Sequence, residues 1–182
     1  KVCLNSFLRN YTTPIVRRTP SEGCLWHETL RTRRSTEKEM EIEKIETEII
    51  DEFSIFDDWI DKYNYLIELG KTLPPIDEQY KTESFVITGC QSKVWLHANY
   101  KDGKIFFEAD SDAIITKGIV GLLIRVLSGQ DADSIMKANL DFIDKIGLRE
   151  HLSPTRSNGL TSMIKQMKLY ALAFKTKYSQ NP

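Results

Sequence analysis

The stretch that decides the fold is Val94-Trp95-Leu96-His97-Ala98-Asn99-Tyr100-Lys101-Asp102-Gly103-Lys104-Ile105-Phe106-Phe107-Glu108-Ala109. Over residues 94–100, aliphatic or aromatic side chains occupy every second position, which is the spacing of a half-buried β-strand. Asp102-Gly103 then favours a type I′ turn, the turn that joins two antiparallel strands. Residues 105–109 supply the returning strand. The stretch therefore predicts a β-hairpin in the middle of the chain.

A third strand is expected just before the hairpin. Residues 83–88 include Phe85, Val86 and Ile87, which are residue types enriched in strands. Gly89 interrupts this run before the hairpin begins. We therefore expect a small antiparallel sheet of three strands.

Helical periodicity flanks the expected sheet on both sides. Before it, apolar residues recur every three or four positions over residues 42–56 and 59–67, and Gly70 is a natural stop. After it, the same spacing returns over residues 114–126 and again over residues 160–174. Grouped strands with helices around them predict an α+β domain of two layers, in the order α-α-β-β-β-α-α-α.

Two serines are expected to mark helix starts in the second half of the chain. Ser111 would cap the helix that follows the hairpin by accepting a hydrogen bond from a free backbone N–H. Ser153-Pro154 is typical of a cap followed by proline at the first helical position. Shorter helices are expected at Ala132–Asn139 and Asp141–Ile146.

Composition excludes several classes of protein. The chain has 182 residues, 41% of them hydrophobic, and a net charge of -1, so it can bury one core and lacks the basic excess of a nucleic-acid binder. No apolar run approaches the roughly 18 residues of a membrane span. The cysteines Cys3, Cys24 and Cys90 form neither a disulfide framework nor a C-x-x-C pair, which predicts no metal site. A reducing, cytoplasmic location follows as the expectation.

Residues 1–39 differ in composition from the rest of the chain. They carry a net charge of +4 against -5 for residues 40–182, contain Pro14 and Pro20, and show no sustained periodicity. A transit peptide has a similar bias toward Arg and Ser. The absence of an initial Met, and a complete domain pattern from Met40, favour instead an upstream extension that is disordered. We therefore set residues 1–39 apart from a single domain over residues 40–182.

The candidate functional residue is Cys90, which follows Gly89 in the break between two expected strands. Such a break predicts a loop, and loops on rigid scaffolds often carry chemistry. The alternative is that Cys90 is a small buried residue, since free cysteines are among the most buried types. His97 lies seven residues further along a strand, about 23 Å away at roughly 3.3 Å per residue, and His151 could approach only through the fold.

A cysteine without an obvious general base suits sulfur exchange better than acyl transfer. In exchange, a thiolate attacks a sulfur atom and displaces another thiolate, so no oxyanion has to be stabilised. A thiol hydrolase, which needs an imidazole within hydrogen-bond reach of its cysteine, is correspondingly disfavoured.

Four groups of residues, in order along the chain, resemble the motifs of the SufE family. Together they are far more specific than any one group. The resemblance covers residues 45–175, and nothing in residues 1–39 takes part in it. The groups are Leu69-Gly70 with Leu73-Pro74; Gly89-Cys90-Gln91-Ser92 with Val94-Trp95; Asp110-Ser111-Asp112-Ala113 with Lys117-Gly118; and Leu152-Ser153-Pro154 with Arg156, Gly159 and Leu160.

The resemblance implies a sulfur acceptor that also activates a PLP-dependent, SufS-like cysteine desulfurase. Cys90 would take the terminal sulfur from a persulfide on the desulfurase, and the sulfur would pass to a downstream scaffold for iron–sulfur clusters. The PLP belongs to the desulfurase, so no cofactor is expected in this chain. The resemblance thus implies a sulfur-transfer protein rather than a stand-alone enzyme.

The other candidate site residues are expected around the cysteine. Gly89, Gln91 and Ser92 would shape the loop, and the resemblance implies that Asp112 and Arg156 lie near it or on the surface that meets the desulfurase. Taken alone, Asp112 is equally well explained as a favourable charge at a helix start. Arg156 is equally well explained as a solvated charge in a first helical turn.

A persulfide needs protection from reductants between two partners. Because Phe85, Val86 and Ile87 adjoin the loop, we expect the sulfur of Cys90 to tuck inward in the free protein. Two alternatives stay open. A cluster scaffold of the IscU type would need several metal-binding cysteines, whereas residues 40–182 contain only Cys90. A non-catalytic adaptor on the same fold would function equally well after Cys90→Ser.

Overall fold

The computed structural model describes residues 41–179; the expectations for residues 1–39 lie outside this range. Two 3-10 turns, Glu78–Tyr80 and Glu83–Phe85, precede the hairpin. The helices and strands, in chain order, are α1 over residues 41–54, α2 (Trp59–Thr72), β1 (Val94–Lys101), β2 (Lys104–Ser111), α3 (Ile114–Leu127), α4 (Ala132–Lys137), α5 (Phe142–Lys145), α6 (Leu148–His151) and α7 (Pro154–Ser179).

The predicted hairpin is confirmed. Strands β1 and β2 pair antiparallel, in a register that runs from Val94 opposite Ser111 to Lys101 opposite Lys104. The turn residues Asp102 and Gly103 have φ angles of 52° and 80°. Both are positive, as a type I′ turn requires.

The expected third strand is wrong: the sheet within residues 41–179 has two strands. Residues 83–85 form a 3-10 turn instead, in which the N–H of Val86 bonds back to Glu83 at 3.3 Å. The segment touches the sheet through one bridge between Val86 and Trp95, with the Ile87 N–H bonded to the Val94 carbonyl at 2.8 Å. Local turn bonds use the backbone groups that a strand would have needed, so the α+β class holds with a smaller sheet. The predicted order is also wrong after the sheet, where residues 112–179 form five helices and not three.

Helix α3 occupies the centre of the core. It packs against α2 on one side and against β2 and α7 on others. The approach to α2 is close because glycines face each other: a side-chain carbon on Gly118 would lie 2.1 Å from the Leu66 carbonyl oxygen. A carbon on Gly70 would lie 2.9 Å from the Gly118 nitrogen. Any side chain at Gly118 would therefore force these two helices apart.

A polar network joins the first three helices. The guanidinium of Arg125 in α3 makes two bonds to the carboxylate of Glu52 in α1, at 2.6 and 2.7 Å. The hydroxyl of Tyr65 in α2 donates to the same carboxylate at 2.6 Å. The hydrogen bonds from Arg125 hold the pKa of Glu52 below its usual value of 4.5, although burial acts against them.

Residues 80–85, which precede the cysteine loop, pack on the outer face of the hairpin. Tyr80 stacks on His97 of β1 with ring centroids 3.6 Å apart, and Phe85 meets the same imidazole edge-on. The Nδ1 atom of His97 lies 3.8 Å from a carboxylate oxygen of Glu108 in β2. These contacts hold the chain segment that precedes the cysteine loop against β1. None of the helices within residues 41–179 is both long and apolar enough to cross a membrane.

Candidate functional site

The loop that carries Cys90 runs from Ile87, the last residue bonded to β1, to Val94, where β1 begins. A turn at Thr88-Gly89 reverses the chain, and Gly89 has a φ of 91°. That conformation is open to glycine and strained for residues with a side-chain carbon. The loop position and the role of Gly89 agree with the sequence.

The loop rests on the first turns of helix α7. The sulfur of Cys90 lies 3.6 Å from the carbonyl oxygen of Gly159, to which its S–H donates. A side-chain carbon on Gly159 would lie only 3.3 Å from that sulfur. On the other side, a side-chain carbon on Gly89 would lie 2.8 Å from the hydroxyl oxygen of Ser162. We call the surface formed by Gly159 and Ser162 the seat of the cysteine loop.

The seat favours the neutral thiol over the thiolate. Burial raises the pKa of Cys90 above its ordinary value of 9.0. The nearest polar partner of the sulfur is the carbonyl of Gly159, which accepts a hydrogen bond from a thiol and has no proton to offer a thiolate. In this position Cys90 is therefore a weak nucleophile, because the thiolate is the reactive form.

His97 and His151, the two histidines considered as possible bases for Cys90, are engaged in other contacts. His97 is held in the stack with Tyr80 on the outer face of the hairpin. His151 stacks on Trp59 with centroids 3.8 Å apart, and its Nδ1 lies 3.1 Å from the Gly147 carbonyl oxygen. Both rings are therefore used in aromatic packing.

The other candidate site residues differ in their hydrogen bonds and in how exposed they are. Gln91 is tied to α7, since the hydroxyl of Thr155 donates to its amide oxygen at 3.1 Å. Asp112 is exposed in the turn between β2 and α3, with its N–H bonded at 3.2 Å to the carbonyl of Lys93. Arg156 is exposed one residue beyond Thr155. Ser92 is half-buried in the loop itself.

The predicted cap at Ser111 takes a different form. The residue before α3 is Ala113, and its N–H donates to the Ser111 hydroxyl oxygen at 3.2 Å. The same hydroxyl donates to the carbonyl of Lys93 at 2.9 Å. Ser111 thus fastens the β2–α3 turn to the end of the cysteine loop. The other predicted start is confirmed, because α7 begins at Pro154.

Asp110 anchors the same turn by ion pairs with two lysines, which the sequence did not predict. Its carboxylate lies 2.8 Å from the ammonium of Lys117 and 3.3 Å from that of Lys81. Burial alone would raise the pKa of Asp110, but bonds from Lys117, the Ser111 N–H and Lys81 outweigh it and lower the pKa. The ion pairs tie the segment before the loop to the helix after the hairpin.

Gly159 and Ser162, which form the seat, were not among the site residues predicted from the sequence. Ser162 carried no signal, because a serine in a helical segment has many explanations. Gly159 did carry one: a glycine inside a helical pattern often marks a close approach of another chain segment. Its partner could not be read from the sequence, since Cys90 lies 69 positions away.

Comparisons with known proteins show which family the chain is similar to. The SufE family, described as "Fe-S metabolism associated domain", matches residues 47–171. An uncharacterised SufE-like protein of Rhizobium meliloti (strain 1021) is 45% identical over 126 residues, which cover 66% of this chain and 90% of the relative. SufE-like protein 1, chloroplastic/mitochondrial, of Arabidopsis thaliana is 41% identical over 117 residues, 64% of this chain and 32% of that protein.

A solved structure supports the fold. The solution structure of a hypothetical protein from Thermus thermophilus superimposes with a TM-score of 0.62 at 21% identity. The match covers 72% of this chain and 96% of the other. The chain is thus an α+β protein with a cysteine loop seated on its last helix, and it belongs to the SufE family, which places it in iron–sulfur metabolism.

Proposed function

We propose that the protein is a sulfur acceptor and activator for a PLP-dependent cysteine desulfurase of the SufS type. The observation that carries the proposal is the seat: a single glycine-flanked cysteine, half-buried against α7, with its S–H bonded to a backbone carbonyl. From residue 41 onward Cys90 is the only cysteine, so any sulfur held by the domain has one acceptor.

The proposed reaction is an exchange between thiolates. The thiolate of Cys90 attacks the outer sulfur of a persulfide on the desulfurase, forming one S–S bond as the other breaks. The desulfurase cysteine leaves as a thiolate, and Cys90 becomes the persulfide. Nothing is oxidised or reduced overall. Removal of the sulfur frees the desulfurase for another turnover, which is how the protein activates it.

The seat accounts for the low reactivity of the free thiol before the protein meets the desulfurase. Burial and the Gly159 carbonyl keep Cys90 in its thiol form, so it reacts slowly with other thiols and disulfides. The half-buried sulfur, held against Gly159 of α7, supports the inward position proposed for the free protein. Contact with the desulfurase has to lift the loop from the seat before the exchange.

The partners and location belong to the same proposal. PLP stays on the desulfurase, and the sulfur passes from Cys90 to a scaffold for iron–sulfur clusters, with both exchanges in the cytoplasm. In this scheme the protein is a carrier that works between two proteins, rather than an enzyme acting alone. Within residues 41–179, no group of three or more His, Cys, Asp or Glu side chains is arranged to hold a metal ion.

The test is intact-protein mass spectrometry after incubation with a PLP-loaded desulfurase and free cysteine. Variant Cys90→Ser is the comparison, and a Cys3→Ser/Cys24→Ser variant leaves Cys90 as the sole thiol. We expect the sole-thiol variant to gain sulfur that a reductant removes, and Cys90→Ser to gain none. Equal gain in both proteins would disprove the role of Cys90. No gain in either, with two different charged desulfurases, would disprove the carrier itself and leave the adaptor.

A further inference from the structure

We infer that Gly159 is a positioning residue that sets the reactivity of Cys90 in the free protein. It would do so by leaving the space into which the cysteine sulfur fits. The inference deepens the proposed function and takes from it the idea that Cys90 is the reacting group. It concerns a residue on α7, remote in sequence from the loop that it controls.

The first argument is the position of Gly159 within its helix. Gly159 is buried five residues after α7 begins at Pro154, and the helix continues to Ser179. Glycine is among the poorest residues for a helix interior, because the unfolded chain gains so much freedom from it. Most other residues would stabilise the helix more at this position. The presence of glycine therefore has to be explained by what occupies the space of the missing side chain.

The second argument is what fills that space. A side-chain carbon on Gly159 would meet three atoms of one residue: the sulfur of Cys90 at 3.3 Å, its Cα at 3.5 Å and its Cβ at 3.6 Å. The nearest atoms around the missing side chain thus belong to the reacting cysteine. Gly159 also accepts the hydrogen bond from the Cys90 S–H through its own carbonyl.

The third argument is that the Cys90 side chain can move away from a side chain introduced at Gly159. The crowded atom is a sulfur at the end of a side chain, which can turn about its χ1 bond or move with its loop. A side chain at Gly159 would therefore displace the sulfur from its carbonyl partner and toward water, without moving the helix. Displacement removes the burial that disfavours the thiolate, so the cysteine should react faster.

The experiment compares Gly159→Ala and Gly159→Val in the sole-thiol Cys3→Ser/Cys24→Ser background. Asn158→Ala, an exposed neighbour in the same helical turn, is the matched control. The rate of alkylation by iodoacetamide is measured from neutral to alkaline pH, beside a small peptide thiol. Circular dichroism and denaturant unfolding report whether each variant remains folded.

We expect alkylation of Cys90 to be slow in the parent and in Asn158→Ala, with a midpoint above pH 9.0. Gly159→Ala should react about three- to tenfold faster at neutral pH, with its midpoint shifted down by up to about one unit. Gly159→Val should react at least as fast as Gly159→Ala. Folded variants that alkylate no faster than the parent would overturn the inference. So would faster alkylation seen only in variants that have lost cooperative unfolding.

The same variants separate this inference from the proposed function. If Gly159→Ala alkylates faster but neither it nor the parent takes sulfur from a charged desulfurase, Gly159 controls the thiol and the carrier function is wrong. If the parent takes sulfur and Gly159→Ala alkylates at the parental rate, the carrier function stands and the role of Gly159 is wrong. When both are right, Gly159→Ala alkylates faster and also accepts sulfur.

Discussion

The crossing of α2 with α3 and the seat of the cysteine loop are both close contacts made by glycine, but they differ in what lies opposite. At the crossing, a side-chain carbon on Gly118 would lie 2.1 Å from the backbone oxygen of Leu66. At the seat, a carbon on Gly159 would lie 3.3 Å from the sulfur of Cys90. A backbone oxygen inside a helix cannot move aside, whereas a cysteine side chain in a loop can.

The two contacts therefore differ in whether they can open without disrupting the core. The crossing is reinforced by the bonds among Glu52, Tyr65 and Arg125, which link α1, α2 and α3. The cysteine loop is bonded to α7 by one weak S–H bond at the seat and by one exposed side-chain bond, between Thr155 and Gln91. Changes at the crossing should therefore cost stability, and changes at the seat should alter mainly the reactivity of Cys90.

The largest effect is expected for Gly118→Ala. The added carbon has no room beside Leu66, so α2 and α3 must separate along the centre of the core. We expect a loss of at least about 3 kcal/mol of unfolding free energy, at the upper end for overpacked sites. Denaturant unfolding followed by circular dichroism measures it.

Gly121→Ala is the control for that substitution, one turn further along the same helix. Its added carbon would lie 3.4 Å from the end of the Leu73 side chain, an ordinary contact that can adjust. Since alanine is the better helix former, stability should change by no more than about 1 kcal/mol in either direction. Equal losses for Gly118→Ala and Gly121→Ala would show that the helix crossing is not the rigid contact described above.

The second effect concerns the loop side of the seat. Gly89→Ala places a side-chain carbon 2.8 Å from the Ser162 hydroxyl oxygen, at a residue whose φ is 91°. The strain should lower the free energy of unfolding by about 1 to 2 kcal/mol. The loss is limited because the loop can move away from α7. Alkylation of Cys90 in the sole-thiol background should become faster at the same time.

Gly103→Ala is the matched control for Gly89→Ala, since it shares the positive φ without a crowded neighbour. It should lower stability to a similar degree and leave alkylation of Cys90 at the parental rate. If Gly103→Ala also accelerates alkylation, the reactivity of Cys90 follows overall stability and not the seat.

The sequence predicted those parts of the fold whose signals are local. The Asp102-Gly103 turn requires two residues at positive φ, and few other pairs accept that conformation. Ser153-Pro154 marked the start of α7 because proline is well suited to a first helical position. The loop around Cys90 followed from Gly89, whose φ is indeed positive.

The parts that failed depend on partners distant in sequence. Phe85 and its neighbours have strand propensity, but the Phe85 ring packs against His97 and the backbone of residues 83–85 closes a 3-10 turn. Strand propensity measures how well side chains fit a half-buried surface, so it cannot tell these outcomes apart. Likewise, Gly159 signalled a close contact without naming Cys90 as the residue that makes it.

A third prediction tests the polar network that links α1, α2 and α3. Glu52→Gln removes the charge that Arg125 and Tyr65 share, and we expect a loss of about 1 kcal/mol at neutral pH, since the pair is partly exposed to solvent. Because the folded pKa of Glu52 is lowered, its contribution is complete above the unfolded value of 4.5 and is lost as pH falls through the folded pKa.

The stabilities of the parent and Glu52→Gln should therefore converge in acid, measured by denaturant unfolding across a pH series. Glu48→Gln, an exposed carboxylate on the same helix, is the control and should match the parent throughout. A difference between Glu52→Gln and the parent that stays constant down to the acid limit would assign the effect to packing and not to charge.

The smallest effect is expected for Thr155→Val, which at nearly constant volume removes the exposed bonds of the Thr155 hydroxyl to Gln91 and Ser153. An exposed side-chain hydrogen bond contributes about 0.5 kcal/mol or less, so global unfolding should be unchanged within error. If the bond to Gln91 helps to hold the loop on the seat, the same energy should raise the population of lifted loops, and hence alkylation of Cys90, by about twofold. Thr176→Val, exposed near the other end of α7, should do neither. A tenfold acceleration by Thr155→Val would mean that this single bond, rather than the glycine contacts, holds the cysteine in place.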